Sequence, residues 1–353
     1  MSRFHALTVT DIHRTTRDAV VVTLQPDDPG AFAFRAGQHL TFRRDFGGTE
    51  LRRSYSICAA PSEGTIRVGI RQVEGGVFST WANEEMTPGE RLDALPPSGA
   101  FTLEPEPEAA RHYLAFAGGA GITPILSMLK AVLEGEPKSH FTLIYANRAV
   151  STIMFREELE DLKNLHMGRF TLLHVLENDT QEIELFSGRL DAERCAGLLR
   201  HWVDAESADR ILLCGPPPMM TEVRNALKAR GISETRIRSE LFRPDQPGRA
   251  PRPAPTRGGQ AVRVQAQVTL DGTRRSFEIP AGMSVLEAAL ENGLDVPFSC
   301  KAGVCASCRA RLTEGRLDMI ANHALEDYEI EAGYVLTCQC YPLSERITLD
   351  YDR

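Results

Sequence analysis

Four cysteines near the C-terminal end of the chain are spaced as metal ligands. Cys300, Cys305 and Cys308 follow the pattern C-x4-C-x2-C, and Cys338 comes after 29 further residues. Thiolates are the usual ligands of iron–sulfur clusters, and this spacing is typical of plant-type [2Fe–2S] sites. Three ligands from one loop would surround a cluster on one side, and Cys338 would close it from a distant segment. The intervening residues are mostly small, which allows backbone N–H groups to approach the cluster sulfurs.

A structural zinc site is the alternative use of these cysteines. Zinc sites more often contain two short cysteine pairs, whereas the distal part of this sequence offers Cys338-x-Cys340. The spacing favours the cluster, with Cys340 as a non-ligand. Cys58 and Cys195 are predicted to be small buried apolar residues and not functional thiols.

Two short strings in the first third of the chain have residues that bind anions. The string RSYS at residues 53–56 follows a predicted strand, where an exposed strand with a solvated arginine is the simpler interpretation. The string GGVFS occupies residues 75–79. Its adjacent glycines allow the backbone to approach a phosphate, and Ser79 is expected to cap a helix whose N-terminus receives the anion.

A glycine loop, GGAGITP at residues 118–124, lies between a predicted strand and a predicted helix. It departs from the dinucleotide fingerprint because Pro124 stands where the third glycine would be, and a tight turn alone would explain it. Its position nevertheless places backbone donors at a helix N-terminus, where a pyrophosphate would bind. Thr123 is expected to cap this helix, with Pro124 as its first residue.

Arg148 follows the next predicted strand and bears on which nucleotide would bind. A site for NADH usually places an acid near the ribose 2′-hydroxyl, whereas an arginine suits the 2′-phosphate of NADPH. Arg148, with help from Arg156, therefore favours NADPH over NADH. The alternative is a solvated arginine at a strand end.

The segments that must position these residues fall into several domains, as expected for 353 residues. Residues 1–106 read as short strands punctuated by turns, which predicts an antiparallel β-barrel. Residues 107–242 alternate strands with helices, which predicts a parallel sheet covered on both faces. Residues 243–259 contain five Pro, three Gly and four Arg, and are predicted to form a semi-rigid linker. Residues 260–353 form the cysteine-containing domain.

The last domain has its own local signals. Asp271-Gly272 lies between two alternating stretches and predicts a hairpin turn. Ser284 and Glu287 have the spacing of a capping box that opens a short helix before the cysteine loop. A mixed α+β domain is therefore expected.

The composition disfavours other classes of function. The chain has 40 Lys and Arg against 48 Asp and Glu, a net charge of −8, and nucleic-acid binding depends on basic surfaces. The N-terminus lacks the apolar core of a secretory signal, and the uncharged stretch 112–129 contains glycines and a proline that disfavour a membrane span. We therefore expect a cytoplasmic protein in a reducing compartment, with neither nucleic acid nor membrane as its partner.

The motifs together resemble known families. Residues 262–353 resemble a plant-type ferredoxin, which implies a β-grasp-like fold around a [2Fe–2S] cluster. The strings at 53–56, 75–79 and 118–124, with Cys214-Gly215-Pro216, resemble the ferredoxin–NADP reductase superfamily. That resemblance makes the barrel an FAD-binding domain and the parallel sheet a nicotinamide-nucleotide domain.

The resemblance also implies roles for individual residues. In the barrel, Arg53 would contact the FAD pyrophosphate, Tyr55 would stack on the flavin ring and Ser56 would form a hydrogen bond near flavin N5. Gly76 and Ser79 would hold the pyrophosphate.

In the second domain, the glycine loop with Gly119, Gly121 and Thr123 would bind the nicotinamide nucleotide. Cys214 and Gly215 would lie beside the nicotinamide. Phe242 would cover the flavin, although a core phenylalanine is an equally simple interpretation.

The order of domains resembles the reductase components of multicomponent oxygenases, and among them those of phenylacetyl-CoA epoxidases in phenylacetate degradation. It implies electron transfer from NADPH to FAD, to the [2Fe–2S] cluster and then to an oxygenase component. A reductase for another aromatic-ring or steroid hydroxylase is one alternative. A flavin reductase with a zinc-bound docking module is another. The sequence shows no convincing acid–base or nucleophile constellation, as expected where cofactors carry the chemistry.

Overall fold

The computed structural model describes residues 4–242, 256–257, 260–261 and 264–352. Most of the predicted linker at 243–259 lies outside the described residues, so its role stays a prediction. Residues 256–257 and 260–261 form two short paired strands, β12 (Thr256–Arg257) and β13 (Gln260–Ala261). None of the helices in the described parts of the chain is both long and apolar enough to cross a membrane.

The first body is an antiparallel sheet that curls into a barrel. Its strands are β1 (His5–Thr16), β2 (Ala19–Pro26), β3 (His39–Phe46), β4 (Thr49–Ser56), β5 (Ile66–Arg71) and β6 (Arg91–Ala94). Their order is β4-β3-β6-β1-β2-β5. An isolated antiparallel bridge between Ile57 and Val68 joins the two edges of the sheet, and the N–H of Cys58 donates to the carbonyl of Arg67 at 2.8 Å. The predicted antiparallel barrel is thus confirmed, with the helix α1 (Val77–Glu84) after β5.

The second body is a parallel five-stranded sheet with helices on both faces. Its strands are β7 (His112–Gly118), β8 (His140–Asn147), β9 (Phe170–Leu176), β10 (Arg210–Gly215) and β11 (Ile237–Leu241). Its helices are α2 (Ile122–Gly135), α3 (Arg156–Leu165), α4 (Ala192–His201) and α5 (Pro217–Ala229). The strand order β11-β10-β7-β8-β9 reverses direction between β7 and β10. Ligands of such sheets bind at the carboxyl ends of the strands beside this switch point.

The start of α2 differs from the expectation. The helix begins at Ile122 with Gly121 in the capping position, so Thr123 is its second residue and Pro124 its third. The Thr123 hydroxyl donates to the carbonyl of Ala120 at 3.0 Å. Thr123 is therefore not the N-cap, because the glycine loop turns directly into the helix two residues earlier than predicted.

The barrel and the parallel sheet share a hydrophobic core. Along β2, Val20 and Val22 point into the barrel, whereas Ala19 and Val21 pack against residues of the parallel-sheet domain. This follows from the alternation of side chains along a strand. At the same junction the buried Lys130 contacts the carboxylates of Glu63, at 2.9 Å, and of Glu158.

The third body is a mixed sheet with one helix packed against it. Its elements are β14 (Val264–Leu270), β15 (Thr273–Ile279), α6 (Val285–Glu291), β16 (Arg309–Glu314), β17 (Leu317–Met319), α7 (Asp327–Glu331), β18 (Tyr334–Leu336), β19 (Cys340–Pro342) and β20 (Arg346–Asp350). The strand order is β15-β14-β20-β16-β18, with β14 and β20 parallel, and β17 pairs with β19. This is the β-grasp-like arrangement expected from the sequence.

Both local signals of this third body are confirmed. Asp271 and Gly272 have φ values of 50° and 70°, and they connect β14 to β15. Two residues with positive φ are what the tightest type of hairpin turn requires. The Ser284 Oγ accepts from the N–H of Glu287 at 3.2 Å, and the Glu287 carboxylate accepts from the N–H of Ser284 at 3.1 Å.

Candidate functional site

The loop that carries three of the four cysteines is wound around its own sulfurs. It runs from Cys300 to Cys308 between α6 and β16, and Cys338 lies in the short turn after β18. The N–H groups of Ala302 and Val304 donate to the Cys300 Sγ at 3.3 and 3.5 Å. Backbone donors thus already surround the sulfur of one proposed ligand, and their approach to the cluster itself stays a prediction.

This winding requires unusual backbone conformations. Lys301 and Ala306 have φ values of 50° and 52°, a region that costs roughly 1–2 kcal/mol for a residue with a Cβ. Gly303 has a φ of 75°, and a Cβ there would lie 2.9 Å from the carbonyl oxygen of Ala321. The loop is thus held in a shape that its residues would not adopt alone.

Side-chain hydrogen bonds link Cys300 with Cys305 and Cys308 with Cys338. Hydrogen bonds to the Cys300 sulfur, from the Cys305 thiol and from backbone N–H groups of the loop, lower the pKa of Cys300 to about 6. The thiol of Cys338 interacts with Cys308 and raises the pKa of Cys308. Within the described residues, no three His, Cys, Asp or Glu side chains are placed to hold a single metal ion. Four cysteines arranged as two neighbouring pairs fit the two irons of a [2Fe–2S] cluster, each of which takes two protein ligands.

Cys340 lies two residues beyond Cys338. It belongs to β19, is fully buried in the core of the third body, and burial raises the pKa of its thiol. Cys58 and Cys195 are also buried. The predicted burial of Cys58 and Cys195 is therefore confirmed, whereas the assignment of Cys340 as a non-ligand stays a prediction.

A second group of polar residues lies where the barrel meets the parallel sheet. The Ser56 Oγ, at the end of β4, donates to a carboxylate oxygen of Glu240 at 3.3 Å. Glu240 and Cys214 are directly paired on the neighbouring strands β11 and β10, so their side chains share one face of the sheet. His39 lies on the other side, with its Nδ1 3.9 Å from Glu240. All four residues are buried.

Burial keeps this group uncharged near neutral pH. It raises the pKa of Glu240 to about 8, against the opposing hydrogen bond from Ser56. It lowers the pKa of His39 to about 4 and raises the pKa of Cys214 well above its usual value. The group therefore presents a neutral carboxylic acid, a neutral imidazole and a thiol, which suits hydrogen bonding to the polar edge of a bound ring.

Sequence reasoning missed Glu240 and His39. Neither belongs to a motif, and a lone acid at a strand end is indistinguishable in sequence from a solvated one. Only their burial reveals them. Together with Leu241, Cys305 and Ala306, they line a cavity of about 650 Å³ between the junction and the cysteine loop.

The two anion-binding strings come together in the fold. Tyr55 on β4 and Phe78 in α1 have ring centres 5.7 Å apart. Alternation along β4 places Tyr55 with Arg53 on one face and Ser54 with Ser56 on the other. The Arg53 guanidinium also donates to the carbonyl of Arg52 at 2.7 Å.

Ser79 has a different local role from the expected one. The helix α1 begins at Val77 with Gly76 in the capping position, so Ser79 is its third residue and not its N-cap. The Ser79 Oγ accepts from the N–H of Val73 and donates to the carbonyl of Gly76, both at 3.1 Å. The hydroxyl thus shapes the loop, and the donors left at the helix start are backbone N–H groups.

The glycines beside β7 and β10 allow two loops to touch. A Cβ on Gly121 would lie 2.2 Å from the carbonyl oxygen of Cys214, and one on Gly215 would lie 2.9 Å from the backbone nitrogen of Gly118. Gly119 has a φ of 52°, and its carbonyl accepts from the Tyr145 hydroxyl at 3.0 Å. Close packing at the switch point is therefore one reason for these glycines. Their contacts with a nucleotide stay predictions.

Phe242 follows β11 directly. It is half-buried and packs against the core cluster that contains Cys214. The structure thus brings Ser56 and Cys214 together through Glu240 and leaves Phe242 at the edge of the same junction. Contact of Phe242 with the flavin stays a prediction.

Comparison with known proteins identifies the three bodies. Residues 6–103 match the oxidoreductase FAD-binding domain, residues 116–225 the oxidoreductase NAD-binding domain, and residues 268–343 the 2Fe-2S iron-sulfur cluster binding domain. The chain is 40% identical to a component of the 1,2-phenylacetyl-CoA epoxidase of Escherichia coli K12, over 100% of this chain and 99% of that protein. It is 32% identical to the ferredoxin reductase component of 3-ketosteroid-9-alpha-monooxygenase from Rhodococcus rhodochrous, over 99% and 97%. The chain belongs to the family of oxygenase reductase components.

The fold of this reductase is shared with solved structures. Phthalate dioxygenase reductase matches 98% of both chains with a TM-score of 0.58 and 24% identity. An intact self-sufficient cytochrome P450 monooxygenase matches 98% of this chain and 41% of its own, with a TM-score of 0.69 and 21% identity. The reductase therefore has an FAD-binding, a pyridine-nucleotide-binding and a [2Fe–2S] domain, and the match of the last favours the cluster over a zinc site.

Proposed function

We propose that this reductase transfers electrons from NADPH through FAD and a [2Fe–2S] cluster to a phenylacetyl-CoA epoxidase. The spatial order of the sites supports this route for the electrons, and the 40% identity to the epoxidase component supports the acceptor. The cavity beside Glu240 is lined on one side by the parallel-sheet domain and on another by Cys305 of the cysteine loop. A ring bound at this junction would thus lie between the nucleotide domain and the cluster.

The bound cofactors supply the chemistry, since the flavin accepts hydride from a nicotinamide and a cluster takes electrons singly. The chain contributes position and environment. We propose that Arg53, Tyr55, Gly76 and the start of α1 bind FAD, while Ser56, Cys214 and Glu240 provide a water-poor surface with neutral donors. Cys300, Cys305, Cys308 and Cys338 are the proposed cluster ligands.

NADPH is the proposed electron donor because of Arg148. It is exposed at the carboxyl end of β8, where the ribose of a nucleotide bound to the glycine loop would lie. Arg156, the second candidate, donates to Glu160 at 2.9 Å and is thereby partly occupied. Arg148 is therefore the better candidate for contact with a 2′-phosphate.

Replacing Arg148 with alanine is expected to lower kcat/KM for NADPH roughly tenfold, because a charge-assisted hydrogen bond of about 1.5–3 kcal/mol is lost. The value for NADH should change less than twofold. Steady-state reduction of ferricyanide, which accepts electrons from the flavin, measures both. Equal losses with the two nucleotides would contradict the proposed contact.

The partner is tested by coupled turnover. Purified reductase is combined with phenylacetyl-CoA epoxidase, with a steroid monooxygenase and with an aromatic-ring hydroxylase, and substrate oxidation is measured at equal concentrations. The proposal predicts the highest kcat/KM for the epoxidase. Preference for either of the others would assign the reductase to that system.

The expected cytoplasmic location belongs to the same proposal, since a cluster of free cysteines persists in a reducing compartment.

A further inference from the structure

Arg52 lies on the barrel, but most of its contacts are with the cluster domain. Its Nη2 donates to the Asp295 carboxylate at 2.7 Å, and its Nη1 donates to the carbonyl of Val296 at 3.3 Å. Its guanidinium carbon lies 4.2 Å from the centre of the Phe298 ring. The three partners belong to the segment that leads directly into Cys300. One side chain of the barrel thus holds a whole segment of the cluster domain.

The Arg52 side chain is only 5% exposed, which is rare for a charged group. On the barrel its Nε donates to Glu50 at 2.8 Å, and its guanidinium lies 4.9 Å from the Phe4 ring. A buried guanidinium requires such partners, and its planar fork can serve two carboxylates and an aromatic face together. The barrel supplies one carboxylate and the cluster domain supplies the other.

Two hydroxyl contacts continue this interface towards the cysteine loop. The Ser54 Oγ donates to the Ser299 Oγ at 2.9 Å, and the Oγ atoms of Thr41 and Ser307 are 3.2 Å apart. Ser54 lies between Arg53 and Tyr55 on the proposed flavin-binding strand. The contact therefore places the cysteine loop directly against that strand.

We propose that Arg52 and Asp295 form a latch that holds the cluster domain where it receives electrons from the flavin, and that opening of the latch frees this domain to meet the oxygenase. This inference rests on the proposed function. The Asp295 side chain is 67% exposed, so solvent and salt reach the ion pair and keep it weak enough to open. Arg52 is thus a positioning residue for internal electron transfer.

Arg52→Ala in the full-length holoprotein tests the latch. Anaerobic stopped-flow absorbance separates reduction of the flavin by NADPH from the later reduction of the cluster. We expect cluster reduction to slow roughly tenfold or more, since small misplacements of reacting groups have effects of this size. Flavin reduction should stay within twofold, because the backbone carbonyl that binds Arg53 is kept.

Arg43→Ala is the matched control. Arg43 faces Arg52 in register on β3, but its ion pair, at 3.0 Å, is with Asp93 of the barrel itself. The control removes an equal charge from the same surface without touching the cluster domain. We expect no effect on cluster reduction.

Asp295→Lys provides an independent test at an exposed position, where folding is not at risk. Added salt should slow cluster reduction in the wild type, because it screens an attraction, and should speed it in Asp295→Lys, because it screens a repulsion. Small-angle X-ray scattering should show a larger radius of gyration for both Arg52→Ala and Asp295→Lys than for Arg43→Ala.

The results distinguish the latch from the function on which it rests. Unchanged cluster reduction in Arg52→Ala, or an equal loss in Arg43→Ala, would overturn the latch while the electron-transfer function stands. The latch would also be overturned if added salt changed the rate of cluster reduction in the same direction in the wild type and in Asp295→Lys. The proposed function itself would be refuted if NADPH failed to reduce the cluster in the wild-type holoprotein.

Discussion

Replacing Glu240 with glutamine is expected to abolish a fall in stability between pH 6.5 and 8, and replacing it with leucine is expected to slow reduction of the flavin by NADPH. The folded-state pKa of Glu240 is about 8, against 4.5 as the ordinary value. Between these values the unfolded chain has lost the proton that the folded protein keeps, so stability falls as the pH rises. The fall is at most about 1.4 kcal/mol per pH unit.

Comparison of the wild type with Glu240→Gln between pH 6.5 and 8 separates the effect of Glu240 from that of His39. Burial lowers the pKa of His39 to about 4 from 6.5, so its contribution is lost as the pH falls below 6.5. Above that value His39 loses its remaining proton in the unfolded chain within about one pH unit, and this change is common to the wild type and Glu240→Gln. Thermal unfolding of the wild type and of Glu240→Gln at pH 6.5 and 8 gives the difference, in which all other groups cancel. Parallel curves for the two proteins would contradict a buried, protonated Glu240.

The kinetic effect follows from the same burial. Glu240→Leu removes the acceptor of the buried Ser56 hydroxyl and leaves that hydroxyl unsatisfied, which is worth about 1–3 kcal/mol and therefore on the order of tenfold or more in rate, whereas Glu240→Gln keeps a neutral acceptor. Stopped-flow reduction of the flavin measures it. Iron content should be unchanged in Glu240→Leu, since Glu240 is not a cluster ligand. A normal rate would show that Glu240 acts only on stability.

Replacing Cys338 with serine is expected to remove the cluster and thereby electron delivery to the oxygenase. The pairing of Cys308 with Cys338 predicts that one iron would lose a ligand. Iron and acid-labile sulfide should fall from about two each per chain to near zero. Coupled oxygenase turnover should fall at least about a hundredfold, while NADPH should still reduce the flavin at its normal rate.

Cys340→Ala is the matched control for Cys338→Ser. It lies two residues away, is likewise buried, and belongs to the core of β19. Its iron content should equal that of the wild type, with at most a modest loss of stability from the smaller side chain. Retention of iron in Cys338→Ser together with its loss in Cys340→Ala would reverse the ligand assignment.

Much of the fold and of the proposed site can be predicted from short segments of the sequence. The spacing of Cys300, Cys305 and Cys308 predicts a cluster because so few residues separate the three cysteines that they must lie close together in space. The turn at Asp271-Gly272 and the capping box at Ser284 are likewise local, and the structure confirms both. The short strands of residues 1–106 and the alternating strands and helices of residues 107–242 are also local patterns, and they predict the barrel and the parallel sheet.

Predictions of caps beside the glycine strings are less successful. The sequence predicts that Thr123 and Ser79 cap helices, but both helices begin earlier, at Ile122 and Val77. In each case a glycine occupies the capping position. Both side chains are buried and serve local hydrogen bonds, which propensity rules for exposed helix ends do not anticipate.

The remaining features depend on residues far apart in the chain. Ser56 and Glu240 are separated by 184 positions, and Arg52 and Asp295 by 243. The charge state of an acid and the partner of an arginine depend on burial and on neighbouring groups. When those neighbours are so distant in the sequence, only the folded structure identifies them. Local spacing therefore identifies the cofactor-binding segments, whereas the neutral Glu240 and the shared Arg52 emerge only from the packing of the three bodies.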